Sequence, residues 1–307
     1  DLHSFPTRRS SDLLSSWDQG VVVVEAPADE PTAFAVAGDP AARPVVVRGG
    51  YNIGVHGESF QVMFSGLTGA LTSYRYGRTR DGGAELLSAP VLPCFWHAPT
   101  ANERGYGGPY EEGAWQLASR YPRLVEDHDW PAAVVEHEDG SVTVSFTYAL
   151  AGLPGTRCRM DYRVLGDGTV EVTQVLDPAG EVPSLPELSV MIQVPGSVNR
   201  LTFYGEGPEE TYVDRRGGGR LGVYSSEVDQ QMAGYLNPQE SGSHTGVRWA
   251  RVTDRTGRGL LVSAPAGGEI ELSALPWTPF EVENARHEFE LPVTGRTVIR
   301  QIGRAHV

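Results

Sequence analysis

Four places in the sequence bring carboxylates, amides or imidazoles close enough together to do chemistry. Two are adjacent acid pairs, Glu111-Glu112 and Glu209-Glu210. Double displacement at an acetal takes two carboxyl groups about 5–5.5 Å apart, one to shuttle a proton and one to attack. Neighbours on a strand point to opposite faces, so neither pair converges on one bond, and solvated turn carboxylates are the expectation. The third place is Asn102 with Glu103, read as a loop running into Gly105-Tyr106-Gly107-Gly108. Loops of that kind carry function on rigid scaffolds, which makes both residues candidates to face a cleft. The fourth is Glu240 with His244, the one nearby couple that could serve as acid and base, also a candidate for a cleft.

Other polar residues read as structural. Gly207-Pro208 gives a tight bend after a strand ending at Tyr204. Asp214 beside Arg215 is expected to form a charge-assisted pair that fixes the loop. Pro238-Gln239 sets an amide and the Glu240 carboxylate where they can pin neighbouring backbone. His128 and His137 lie among acids without the i, i+4 spacing of a helical metal site, so no metal is expected.

Composition narrows the classes. The 307 residues are 40% hydrophobic and 21% charged, enough apolar material for one large domain, or one domain with a remnant of another. A formal charge of −14 argues against a nucleic-acid partner, since a phosphate backbone calls for a basic face. No apolar run approaches the roughly 18 residues of a membrane helix, so no membrane partner is expected. All 25 basic residues are Arg, which reads as codon bias in a GC-rich gene. Cys94 and Cys158 are too few for a disulfide framework and are expected to be buried free thiols.

The elements that must position these residues are strands. In Ser141–Leu150, Val142, Val144, Phe146, Tyr148 and Leu150 fall on one face, with Ser141, Thr143, Ser145 and Thr147 on the other. Similar runs occupy Ser59–Phe64, Arg159–Leu165, Thr169–Leu176, Leu260–Ser263, Glu269–Leu275 and Thr297–Gln301. Glu138-Asp139-Gly140 marks a turn, and Gly166-Asp167-Gly168 predicts a hairpin. The best helical stretch is short, Glu111–Ala118. The 37 Gly and 22 Pro fit a turn-rich, all-β chain. Residues 26–47 read as a linker, and 48–301 as one large antiparallel sandwich. The tails 1–13 and 302–307 read as translations of sequencing-adapter oligonucleotides. They are set aside, and 14–301 is expected to be an internal slice of a longer gene.

Three stretches carry a family pattern: FWHAPTANERG at Phe95–Gly105, FYGEGPEETYVDR at Phe203–Arg215 with Leu221-Gly222-Val223-Tyr224 behind it, and YLNPQESGSHTGVRW at Tyr235–Trp249. LPWTPFEVENARH at Leu275–His287 matches more weakly. In order and spacing they resemble the last domain of family 2 glycoside hydrolases of the β-galactosidase type. Pro99, Gly207, Pro208, Tyr212, Asp214, Arg215, Pro238 and Gln239 fall on these motifs as structural residues. The resemblance implies a large antiparallel supersandwich of galactose mutarotase-like fold, with residues 14–25 the last strand of a preceding immunoglobulin-like domain. This chain departs from the pattern at His97 and Glu187, where the family usually has Arg, and at Ala101 and Glu103, where it has Asp. Ser189 stands where it tends to have Gly.

The resemblance also implies a division of labour. Both catalytic carboxylates of such enzymes lie in an upstream barrel, so no catalytic residue is expected here. A parent that hydrolyses terminal β-galactosides such as lactose with retention would use this part as scaffold and barrel cap. The β-galactoside substrate would be met through that barrel, and magnesium and sodium ions, common in the family, would sit there too. A homo-oligomeric, cytoplasmic parent is the matching expectation. The Trp-bearing loop with which the family's final domain borders the galactose pocket is not found before Ile302. Two alternatives stay open: a stand-alone carbohydrate-binding sandwich, to which Trp96, Tyr106, Trp115 and Trp277 could lend aromatic faces, and a mutarotase-type epimerase using Glu240 and His244. A scattered Trp is more often core than platform.

Overall fold

A computed structural model describes residues 38–77, 83–125, 132–264 and 267–303. Residues 14–25, the 1–13 tail, His128 and most of the expected linker lie outside the described residues.

Among the described residues nineteen strands, paired antiparallel, form four sheets. The first is a meander of β1 (Val45–Arg48), β2 (Asn52–His56), β3 (Phe60–Ser65), β4 (Ala70–Tyr76) and β5 (Ala84–Glu85), each pairing with the next. The third sheet takes in β6 (Leu92–Cys94). The second holds β7 (Arg123–Leu124), β8 (Ala132–Glu136), β9 (Val142–Ala149), β10 (Arg157–Val164) and β11 (Val170–Asp177). The remaining strands of the third sheet are β12 (Ser189–Pro195), β15 (Ser243–Val247), β18 (Ile270–Leu275) and β19 (Arg296–Ile302), in the order β15-β18-β19-β12-β6. The fourth orders β14 (Arg220–Glu227), β13 (Arg200–Gly207), β16 (Trp249–Thr253) and β17 (Gly259–Ser263). The all-β, antiparallel expectation is met.

Period-two patterning makes the layers. On β9 the buried set is Val142, Val144, Phe146 and Tyr148; opposite them across the β9–β10 ladder lie Val164, Tyr162, Met160 and Cys158, also buried. Burying each large apolar side chain is worth roughly 1.5–3 kcal/mol. Phe64 of the first sheet sets its ring 6.4 Å from Phe146 and 5.4 Å from Tyr162, locking the first sheet onto the second. The Tyr162 hydroxyl donates to the Val91 carbonyl at 3.1 Å, satisfying a polar tip that would otherwise be stranded in the core. A bridge between Leu71 and Val91 carries the first layer on into the third sheet, and Phe203 of β13 stacks 4.1 Å from His244 of β15 where the fourth sheet meets it. Residues of all four sheets share one apolar cluster. Cys94 and Cys158 are buried free thiols within it.

The Gly166-Asp167-Gly168 link is the expected hairpin turn. Thr169 N–H donates to Asp167 Oδ1 at 2.8 Å, and Gly168 takes φ +91° with the Phe60 ring so close that a Cβ would lie 2.8 Å from it. Both the backbone sign and the space require glycine there.

Three local expectations are corrected. Ser141, assigned to the outward face, is buried because it bridges Arg163 Nε (2.9 Å) and Asp139. β13 does not stop at Tyr204 but pairs through Gly207 with Arg220, so the bend follows Pro208. Asn102 and Glu103 lie not on a loop but in a helix, α1 (Ala101–Tyr106), followed by α2 (Gly108–Glu111), α3 (Gly113–Arg120) and, later, α4 (Pro279–Asn284). The reason is a reciprocal cap: Glu103 N–H donates to Thr100 Oγ1, and the Glu103 carboxylate accepts from Thr100 N–H at 2.6 Å.

Candidate functional site

The four motif segments meet at the third sheet. Arg300 of β19 lies there between Ser273 of β18 and Met191 of β12. Its guanidinium donates to Glu187 Oε2 at 2.5 Å, to Glu240 Oε1, and to Ser273 Oγ at 3.2 Å. The three charged side chains are 3%, 5% and 8% exposed. Glu187 accepts a second bond from Ser189 Oγ at 2.5 Å. Burial pushes the Glu187 carboxyl up, against the pull of Arg300; burial also opposes the Arg300 charge, but Glu187 and Glu240 hold it firmly protonated.

Further hydrogen bonds tie the motif segments to one another. Glu240 N–H donates to the Ala98 carbonyl at 3.0 Å, and Ala101 N–H donates to Gln239 Oε1 at 2.8 Å, tying 235–249 to 95–105. Trp96 Nε1 donates to Glu283 at 2.9 Å, bringing in 275–287. The 203–215 segment is fastened through Glu210, which accepts from Arg215 (2.5 Å), the Tyr235 hydroxyl (2.6 Å), the Tyr212 hydroxyl (3.3 Å) and Gly242 N–H (2.9 Å).

This overturns two sequence expectations. Arg215 pairs with Glu210 rather than with Asp214, whose side chain is exposed. Glu210 is no solvated turn carboxylate: its side chain is 6% exposed, while Glu209 beside it is exposed. Both acid pairs lie in turns or helices rather than on strands, with Glu111 ending α2 and Glu112 capping α3.

Glu240 and His244 are both buried but turned to different partners. Glu240 faces Arg300, while His244 Nε2 shares a hydrogen bond with Gln231 at 2.7 Å. Burial pulls the His244 imidazole down to about 4, against the carbonyls of Glu206 and Glu209, so it is neutral at ordinary pH. They form no acid–base couple. Of the remaining candidates, Asn102 is exposed on α1, Pro99 and Pro238 are buried beneath the motif segments, and Gly207-Pro208 is a cis peptide at the end of β13. Trp96 and Trp115 are core; Trp277 is half-buried, its Nε1 donating to the Pro292 carbonyl at 2.8 Å. Tyr106 is exposed.

The sequence reading missed His97. Its Nε2 lies 2.9 Å from Glu103 Oε1. Burial opposes the imidazolium, but the Glu103 bond and the carboxylates of Glu240 and Glu187 outweigh it and raise the ring to about 9. Burial likewise opposes the Glu103 carboxylate, and His97 with the Thr100 donors lowers it to about 2. Between those values the two form an ion pair, not a general acid and base poised to exchange a proton at neutral pH. The space they border, with Trp96, Pro99, Pro109, Glu112 and Pro186, is about 10 Å³, room for one water and none for a sugar ring. Among the described residues no three His, Cys, Asp or Glu side chains group to hold a metal.

Glu271 gives the site a pH signature. Burial, with Glu187 and Glu240 nearby, raises its carboxyl from 4.5 to about 7, although Ser243 Oγ donates to it and Arg300 is near. A carboxyl whose folded pKa exceeds its unfolded one favours the fold most when protonated. Its contribution is therefore full below about 4.5 and lost as pH climbs to 7. Glu271→Gln keeps the acceptor for Ser243 and removes the ionisation. The variant should gain about 2 kcal/mol over the native chain at pH 8 and nothing at pH 4.5, read from urea melts at the two values.

Fold and site together define an antiparallel β-sandwich whose signature segments are welded by a buried Arg–carboxylate knot rather than opened around a pocket. The chain belongs to the family described as "Beta galactosidase small chain", whose model matches residues 56–306. It is 37% identical to the "Beta-galactosidase" of Halalkalibacterium halodurans over 262 residues, which cover 84% of this chain and 25% of that one. It is 33% identical to the "Beta-galactosidase" of Streptococcus thermophilus, over 83% and 24%. Against the "Beta-galactosidase small subunit" of Latilactobacillus sakei it is 28% identical over 85% of this chain and 87% of that one. The chain thus spans about a quarter of the length of the first two relatives.

Proposed function

We propose that this chain is the non-catalytic carboxy-terminal supersandwich of a family 2, retaining β-galactosidase that hydrolyses terminal β-D-galactosides such as lactose, and that it acts there as scaffold and barrel cap. The observation that carries the reading is the length relation: the relatives named for the whole activity match this chain over only a quarter of themselves. The geometry supports it. Glu187 and Glu240 are both committed to one buried arginine. Substrate contact and the magnesium and sodium sites belong to the upstream barrel. A cytoplasmic, homo-oligomeric parent without nucleic-acid or membrane partners completes the proposal.

We place the cap at the loops and short helices where Tyr106, Tyr110, Leu236 and Phe289 stand exposed. The purified chain should not hydrolyse a chromogenic galactoside, and calorimetry with galactose and lactose should show no binding at millimolar concentration. Turnover would refute the non-catalytic reading, and millimolar binding would favour a carbohydrate-binding sandwich instead.

A further inference from the structure

The first sheet has an inner face that the second sheet covers and an outer face that no described residue covers. Alternation assigns Ile53, Val55, Phe60, Val62 and Phe64 to the inside, and all are buried. The outer positions of such a strand ladder are ordinarily polar, as Asn52, His56, Gln61, Ser73 and Arg75 are here, but three of them are apolar and exposed. Val45 and Val47 of β1 are 56% and 53% exposed, Met63 of β3 is 40% exposed, and at the turns Tyr51 and Leu67 are 68% and 73% exposed.

Register makes these one patch. Val47 lies opposite Gly54, and Gly54 opposite Met63, so the glycine opens a furrow between two apolar side chains. Gly66 N–H donates to the Tyr51 carbonyl at 2.7 Å, which brings the two exposed turns together at one end. The furrow continues past His56, Gln61, Ser73 and Arg75 as a hollow of about 390 Å³. Among the described residues β1 is also the outermost strand of this sheet, and it reads Val-Val-Val-Arg, with no Lys, Pro or bulge. An exposed apolar patch beside an edge strand is a surface that soluble proteins cover.

We infer that the outer face of β1–β4, centred on Val47, Gly54 and Met63, is a second docking surface, occupied by another domain of the same β-galactosidase polypeptide. This rests on the proposed function above. The length of the relatives says why one cap surface is not enough: 262 matched residues are 25% of the H. halodurans enzyme, so about three times that length lies elsewhere. A chain of that size divides into several domains. In the L. sakei protein the counterpart is named as a subunit of its own and is matched over 87% of its length. Non-covalent surfaces must then hold such a unit in place. The partner should present apolar side chains to Val45, Val47 and Met63, and hydrogen-bonding groups to Gln61 and Ser73 along the furrow.

Thiol labelling tests this directly, because Cys94 and Cys158 are buried and an introduced cysteine becomes the reactive one. Met63→Cys, Val47→Cys and, on the outer strand β11 of the second sheet, Val175→Cys would each be reacted with a maleimide in two settings. One is the 307-residue chain; the other is a full-length chimera in which this chain replaces the matching quarter of the H. halodurans enzyme. The expected result is labelling at positions 63 and 47 at least tenfold slower in an active chimera, with position 175 changing less than threefold. Equal labelling at 63 and 47 in an active chimera overturns the inference and leaves the proposed function standing. Protection already in the isolated chain, lost on dilution together with a dimer in sedimentation, also overturns it, assigning the face to a second copy. A correctly assembled chimera without activity counts against the proposed function, whereas the labelling ratio still decides the surface.

Discussion

Arg300→Met should lower the unfolding free energy by about 3–5 kcal/mol, because it strands Glu187 and Glu240 as buried carboxylates without their shared cation. For a domain of this size each kcal/mol moves the melting temperature by about 2–4 °C, so a fall of about 10 °C is the readout. The loss belongs to the broken pairing, not to burial of charge being favourable in itself. The triple variant Glu187→Gln, Arg300→Met, Glu240→Gln should therefore be more stable than Arg300→Met alone, which additive contributions would not allow. A single variant within 1 kcal/mol of the native chain would mean the knot is not what joins the motif segments.

Trp115→Ala should cost about the same, roughly 3–5 kcal/mol, by a different route. Trp115 is fully buried on α3, its ring 5.6 Å from Phe95, and its Nε1 donates to the Pro183 carbonyl at 3.1 Å. Removing the indole opens a cavity and leaves that carbonyl unpaired. Ser119, one turn on, accepts from Phe95 N–H at 2.8 Å and donates to the Trp115 carbonyl at 2.8 Å, so α3 is fixed to the strand that leads into the site. Trp115→Phe refills most of the space and should lose less than half as much. Urea denaturation of the two variants separates the cavity contribution from the hydrogen bond.

Strands were legible because one face of each ladder is buried and period two shows in the residue types. Ser141–Leu150 displays it most plainly, and β9 reproduces it throughout; Ser141, just before the strand, is buried through its hydrogen-bonded hydroxyl. The helices were less legible. α1 and α4 are six residues each, too short to show a 3.6-residue period, yet both announce themselves by a cap. Thr100-x-x-Glu103 and Thr278-x-x-Glu281 are Thr-x-x-Glu boxes that could have been read directly.

The site was legible in its segments and illegible in its pairings. Glu210 with Arg215, and Arg300 with Glu187 and Glu240, are set by which strands lie side by side, information that local pattern does not hold. Glu187 and Arg300, 113 positions apart in sequence, are brought together by the β12–β19 ladder. His97, Glu103, Glu187 and Ser189 all lie in this network.

The proposed division of labour places the glycosidic chemistry outside this chain. Its sharpest measurement is the rate of galactoside hydrolysis by the full-length chimera set beside that of the 307-residue chain at equal molarity. Turnover by the chimera and none by the chain is the result predicted; turnover by the chain alone would contradict it.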